Sequence, residues 1–150
     1  MPNLKKLFTL LIIAIMSITL FAETQLADPK PSMENPRKFV FPITTSDRDE
    51  INHILGAANN VIKFYGVDNT EVVIVAYSQG IKALLKRHDR KIAQRIQSLV
   101  TYNVEFIACQ NTMDTLKIDK KKLLDDVEIV TAGIVELIER QLRGYIYIRP

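Results

Sequence analysis

Glu71-Val72-Val73-Ile74-Val75-Ala76-Tyr77, followed at once by Ser78-Gln79-Gly80, decides the fold. The run from Val72 to Val75 is β-branched without interruption, and no polar residue breaks it before Tyr77. A strand that is apolar on both faces has helices on both sides of its sheet, and such sheets are parallel. Ser78-Gln79-Gly80 then supplies turn chemistry, with a glycine that lets the backbone bend tightly.

Working outward, the same logic repeats. Lys38 to Ile43 (KFVFPI) is a short apolar and aromatic run, expected as the first strand, with Pro42 near its end where a ladder donor is least missed. Between the two strands, Ile51, Ile54, Leu55, Ala58, Val61, Ile62 and Tyr65 recur at spacings of three and four, which is a helix with one apolar face. Thr45, Ser46 and Asp47 offer capping oxygens at its start, and Gly66 ends it. Beyond Gly80, residues 80–86 read as a short helix and residues 92–99 as another. Val104 to Ala108 (VEFIA) is the third strand and Val127 to Val130 the fourth. Gly133 opens a helix carrying Ile134, Val135, Leu137, Ile138 and Leu142, and Gly144 closes it. Tyr145 to Ile148 (YIYI) is the last strand. Strands alternating with helices predict an α/β fold: a three-layer α/β/α domain with a five-stranded, mainly parallel sheet. The segment 116–124 is mixed, and its Lys120-Lys121-Lys122 run is expected to be a solvated helix face with no functional role.

The first 22 residues read differently from the rest. Lys5 and Lys6 give a positive start, and Leu7 to Phe21 run apolar except for Thr9, Ser17 and Thr19. Ala22 ends the run. This is the layout of a secretory signal peptide, and its 15 apolar residues fall short of the about 20 that a spanning helix needs. An uncleaved anchor is the alternative. Residues 23–37, with Pro29, Pro31 and Pro36, read as a flexible or extended leader, so the folded domain is expected over residues 38–150. Removing residues 1–22 leaves 128 residues, a length suited to one domain. The formal charge of +3 loses the two signal lysines and becomes +1, which gives no support to nucleic-acid binding. The expected location is periplasmic, with no membrane association after cleavage.

Ligand sites in open α/β sheets lie beyond the carboxyl ends of the strands. Ser78 and Cys109 both stand at such ends. Ala76-Tyr77-Ser78-Gln79-Gly80 resembles a hydrolase nucleophile elbow with alanine for the first glycine. The hydrolase needs an acid and then a histidine later in the chain, and the only histidine after Ser78 is His88, ten residues on. The inventory rejects that reading. Cys109 is the single cysteine, so no internal disulfide is possible. Asn111 and Thr112 are expected to cap a helix behind it, whose N–H groups would lower the thiol pKa. Against this stands an inert, packed cysteine. One cysteine and two histidines, His53 and His88, show no metal-ligand spacing, and there is no phosphate-cradling or dinucleotide glycine motif. Neither metal nor cofactor is expected.

Three stretches together resemble the DsrE/DsrF-like family of small sulfur-handling proteins: Val73 to Tyr77 with Gly80 to Leu85, Phe106-Ile107-Ala108-Cys109-Gln110-Asn111-Thr112-Met113, and Ala132 to Ile138 with Gln141, Gly144 and Tyr145. The resemblance covers about residues 38–150 and is nearest to the exported single-domain branch. It implies a five-stranded α/β/α domain assembled as trimers or larger rings. In cytoplasmic sulfur-relay members a cysteine after the third strand accepts sulfur as a persulfide, and Cys109 falls at the matching place. The basic residue and glycine that follow that cysteine in relay members are replaced here by Gln110-Asn111-Thr112. Two functions follow as expectations. In the first, Cys109 carries sulfane sulfur between a thiol or sulfane-sulfur donor and acceptor, or senses thiol oxidation, with Tyr77, Ser78, Gly80, Asn111 and Thr112 lining the site. In the second, the chain is a non-enzymatic small-ligand-binding or assembly module in which Cys109 is only packed. Export matters to the choice, because an oxidising compartment caps a thiol as readily as it lets it carry sulfur.

Overall fold

A computed structural model describes residues 23–150; the proposed signal, residues 1–22, lies outside the described residues. The elements run β1 (Arg37–Ile43), α1 (Arg48–Tyr65), β2 (Thr70–Ala76), a 3-10 segment (Ser78–Leu84), α2 (Arg90–Val100), β3 (Glu105–Cys109), α3 (Gln110–Leu116), a 3-10 turn (Lys120–Lys122), β4 (Val127–Val130), α4 (Gly133–Leu142) and β5 (Ile146–Tyr147). The strand order is β4-β3-β2-β1-β5, and every neighbouring pair is parallel. The expected α/β architecture is therefore present, with a sheet that is wholly rather than mainly parallel among the described residues.

Strand periodicity sorts the apolar residues into two layers. Phe39, Phe41, Ile43, Val72, Ile74, Ala76, Phe106 and Ala108 point to the larger core, which α1, α2 and the 3-10 segment cover. Val40, Val73, Val75 and Ile107 point the other way, to a smaller core closed by Leu137 of α4 and by Tyr145. Fully burying one such side chain is worth about 1.5–3 kcal/mol, so the β1 and β2 runs, each with five consecutive buried residues, anchor the domain. α1 follows its sequence signals. Asp47 accepts from the Asp49 and Glu50 N–H groups (3.0 and 2.9 Å), Gly66 ends the helix at φ 91°, and Ile51, Ile54, Leu55, Ala58 and Ile62 are buried.

Four local readings are corrected. The short helix expected over residues 80–86 starts earlier, at Ser78, and is a 3-10 helix ending at Leu84, with Gly80 pressed against the end of β1. The lysine run occupies a single 3-10 turn held by Asp119, which accepts from the Lys121 N–H (2.8 Å), and not a helix face. Asn111 and Thr112 do not cap α3; the cap position is Cys109, and both residues lie inside the first turn. Only Ile146 and Tyr147 of the last run pair as a strand, because the Tyr145 ring turns inward and its hydroxyl donates to Glu71 (2.6 Å). The leader is not uniformly free either: Ser32 bridges Asn35, and Arg37 donates to the Ala27 carbonyl (2.5 Å).

Four crossovers set the position of the helices. β1 to β4 step in one direction across the sheet, and α1, α2 and α3 serve those steps. α4 must then return from the β4 edge to β5 beyond β1, so it crosses β3, β2 and β1 on the smaller face. Its N-terminus consequently starts above the carboxyl ends of β3 and β2.

Candidate functional site: the Cys109 thiol between two helix starts

Cys109 is the last residue of β3 and, by the period of two, points to the same face as Val75 and Tyr77. That is the face α4 enters. Gly133, the first residue of α4, packs directly on the cysteine. A Cβ at Gly133 would lie 3.2 Å from the Cys109 Cβ, 3.3 Å from the Tyr77 Cβ and 3.3 Å from a Val75 methyl. Glycine is required here by closeness rather than by an unusual φ, and the missing side chain lets the backbone of α4 approach the sulfur. From the sequence, Gly133 reads only as a helix start. The signal for more was its place one residue after the fourth strand's turn, but which strand it would cover depends on the long return crossover.

Two helix starts therefore meet at one thiol. Cys109 stands at the cap position of α3, and the uncapped first turn of α4 faces it across the sheet edge. Burial pushes the Cys109 thiol up. The Thr112 side chain and the N–H groups of Gly133, Thr112 and Asn111 push it down, and the net result lies below the ordinary thiol value. The neutral thiol accepts no capping hydrogen bond, so these donors act on the charged form. Their effect is that of partial positive charge at helix N-termini, which favours the nucleophilic thiolate.

Neighbouring residues fix the donors. The Ser78 N–H donates to Thr112 Oγ1 (3.1 Å), which leaves the Thr112 hydroxyl proton free to turn to the sulfur. The Asn111 N–H donates to the Thr131 carbonyl (3.1 Å), tying the start of α3 to the end of β4. Ser78 has φ 53°, a left-handed conformation uncommon for serine, and is exposed. Tyr77 is half-buried, and burial with the nearby Tyr147 keeps its phenol above the usual value, with Arg149 opposing, so it stays neutral at ordinary pH. Tyr147 and Arg149 are thus further neighbours that the sequence reading did not name.

Of the expected site residues, Cys109, Tyr77, Ser78 and Thr112 converge, with Asn111 in the same turn but exposed. Gly80 stands apart. Its would-be Cβ falls 2.0 Å from the Ile43 carbonyl oxygen, so its need for glycine is set by the β1 backbone. Cys109 itself is 5 % exposed. Among the described residues no group of three or more His, Cys, Asp or Glu side chains is placed to hold a metal, and no helix is long and apolar enough to cross a membrane.

A family model described as DsrE/DsrF-like matches residues 37–150. The chain belongs to the DsrE/DsrF-like family. No curated protein matches it. Among solved structures, it is similar to a protein of unknown function, MTH1491 from Methanobacterium thermoautotrophicum, with 28% identity and a TM-score of 0.71 over 76% of this chain and 99% of that one. The ychN protein from E. coli is 22% identical with a TM-score of 0.63, covering 74% of this chain and 96% of that one, which shows a shared fold. The DsrE/DsrF-like match begins at the first residue of β1 and spans the whole sheet, so Cys109, Gly133 and the β2 turn all lie within it.

Proposed function

We propose that this DsrE/DsrF-like chain is an exported sulfur-handling protein whose Cys109 accepts sulfane sulfur as a persulfide or reports thiol oxidation. The observation that carries the reading is the convergence of two helix starts and the Thr112 hydroxyl on one cysteine whose thiol is held below its ordinary value. With thiosulfate as donor, the Cys109 thiolate attacks the outer sulfur, a new S–S bond forms, the donor's S–S bond breaks, and sulfite leaves with the electron pair. The negative charge then sits on the terminal sulfur of the persulfide, beside the same hydroxyl and N–H groups. Export rests on Lys5, Lys6 and the apolar run to Phe21.

Assembly into a homotrimer or larger ring belongs to the same proposal. α4 exposes Ile134, Val135, Ile138 and Leu142, the last at 76 %, beside Ile146 and Tyr147 of the edge strand. A contiguous apolar face of this kind, next to a strand with an unpaired edge, is supported best by burial against another copy.

One observation favours a second reading, the small-ligand-binding or assembly module: Cys109 is buried. Intact-mass measurement after incubation with polysulfide or thiosulfate separates the two. An added sulfur on the native chain, absent from Cys109→Ser, supports the carrier. No adduct, together with alkylation only after denaturation, supports the packed module.

A further inference from the structure

The lysine run acquires a setting that its sequence does not reveal. Leu85 pairs with Leu123 as an isolated antiparallel bridge. The Lys86 N–H donates to the Lys122 carbonyl and the Leu124 N–H to the Leu84 carbonyl, both at 2.9 Å. Leu84, Leu123 and Leu124 are buried in the larger core, so the two loops are pinned together at their roots. This pinning sets Lys86-Arg87-His88 against Lys121-Lys122 around a cavity of about 580 Å³. Its lining is Leu85 and five basic residues, with no acid. Asp119 and Asp125 lie on the far side of Lys86 and Lys121, lining a separate hollow. Asp125 pairs with Lys86 (2.5 Å), whereas Arg87, Lys121 and Lys122 have no ion-pair partner among the described residues.

The unpaired charges of Arg87, Lys121 and Lys122, held near one another by the joined loop roots, repel one another, and no acid lines the cavity to offset them. A bound anion removes that cost. We infer that this cavity binds a small anion bearing two or more phosphate or sulfate groups, at a site separate from Cys109. The volume falls within the roughly 300–1,000 Å³ of small-ligand sites and is far more than one phosphate fills. The cations are mostly lysines, which hold phosphate oxygens as point charges rather than by the bidentate geometry of arginine. A nucleic acid fits less well, because no aromatic ring lines the cavity for a base to stack on. The same phosphate chemistry is available from a free oligophosphate or from an anionic lipid headgroup.

Calorimetric titration of the full chain at low ionic strength tests the site, with orthophosphate, pyrophosphate and tripolyphosphate as probes. Affinity is expected to rise along that series and to fall with added salt. The double variant Lys121→Glu/Lys122→Glu is expected to weaken tripolyphosphate binding by at least about tenfold, since it reverses two of the facing charges. The double variant Lys30→Glu/Lys63→Glu changes net charge equally at exposed positions outside the cavity and is expected to stay within about twofold. A second arm uses vesicles of phosphatidylcholine with and without phosphatidylglycerol. Capture by the anionic vesicles alone, lost in Lys121→Glu/Lys122→Glu and without binding of free oligophosphates, upholds the site with a lipid headgroup as its source. The inference is overturned if neither probe binds, or if the two double variants weaken binding alike. Circular dichroism confirms that each variant is folded, and Cys109 chemistry is not read in either arm.

Discussion

Replacing Gly80 by alanine tests whether the β2 turn is built on the backbone of β1. The new Cβ would stand 2.0 Å from the Ile43 carbonyl oxygen, 2.3 Å from its carbon and 2.7 Å from the Thr44 nitrogen. Ordinary non-bonded separations are about 3.5 Å, so a gap of more than about 1 Å must open between the turn and β1. No side chain can yield, because all three atoms are backbone. The movement breaks the Tyr77 N–H to Ile43 carbonyl bond, now 3.1 Å. Overpacking costs about 1–3 kcal/mol and an unsatisfied backbone group about 1–3 kcal/mol more. Alanine returns at most about 1 kcal/mol by restricting the unfolded chain. The net loss is about 1–5 kcal/mol, which for a domain of this size lowers Tm by roughly 4–20 °C. Urea unfolding followed by circular dichroism measures it. Gly56→Ala is the comparator, since its Cβ would meet only the Arg95 guanidinium at 3.8 Å inside α1. That change is expected to stabilise by about 0.5–1 kcal/mol. If Gly80→Ala costs less than about 1 kcal/mol, or behaves like Gly56→Ala, the steric argument is wrong.

Further outcomes follow from the site. Thr112→Val removes the hydroxyl that favours the Cys109 thiolate, so the pH midpoint of Cys109 alkylation should move upward; an unmoved or lowered midpoint contradicts the donor role. In the wild type that midpoint should lie below the free-cysteine value near about 8.5, because the fold stabilises the charged form. The same depression stabilises the fold above the unfolded thiol's pKa, and that contribution fades as pH falls through the folded one. Gly133→Ala places a methyl 3.2 Å from the Cys109 Cβ and should slow alkylation while costing stability by about 1–3 kcal/mol. Ile138→Asp should lower the assembly mass in light scattering with the fold intact, since Ile138 is 50 % exposed; an unchanged mass points to a different interface.

Much of the sheet was legible because its signals are local. The β2 run, the α1 spacing with its Asp47 cap and Gly66 stop, and the position of Cys109 at a strand end need only neighbours in sequence. The errors arise where distant segments meet. Gly80 reads as a turn glycine or a site residue, and only the register of β1 against β2 reveals that Ile43 blocks any larger side chain. Asn111 and Thr112 read as caps because their oxygens suit that role. In the fold Thr112 Oγ1 is taken by the Ser78 N–H, 34 residues away. The lysine run is solvent-exposed as its sequence suggests, but the Leu85 to Leu123 bridge that sets Lys121 and Lys122 beside Arg87 and His88 leaves no mark on either segment alone.

Cys109 shows why the long-range contacts matter more to chemistry than to architecture. A buried cysteine in an apolar layer should resist ionisation, and Val75, Ile107 and Leu137 supply such a layer next to it. What reverses the sign is the return crossover, which brings the first turn of α4 over the end of β3 while α3 starts at the cysteine itself. The donors are backbone N–H groups and one hydroxyl, with no cation among the leading causes. Dipoles fixed by the fold are not displaced by salt as an exposed lysine would be. These dipoles do not themselves titrate, unlike a histidine paired with a thiolate. A thiol held in this way keeps its lowered pKa for as long as the sheet edge keeps its shape. On the function proposed above, the absence of a cation among those leading causes favours selection of the reaction partner by size rather than by charge, and a small sulfane-sulfur donor meets that requirement better than a folded protein does.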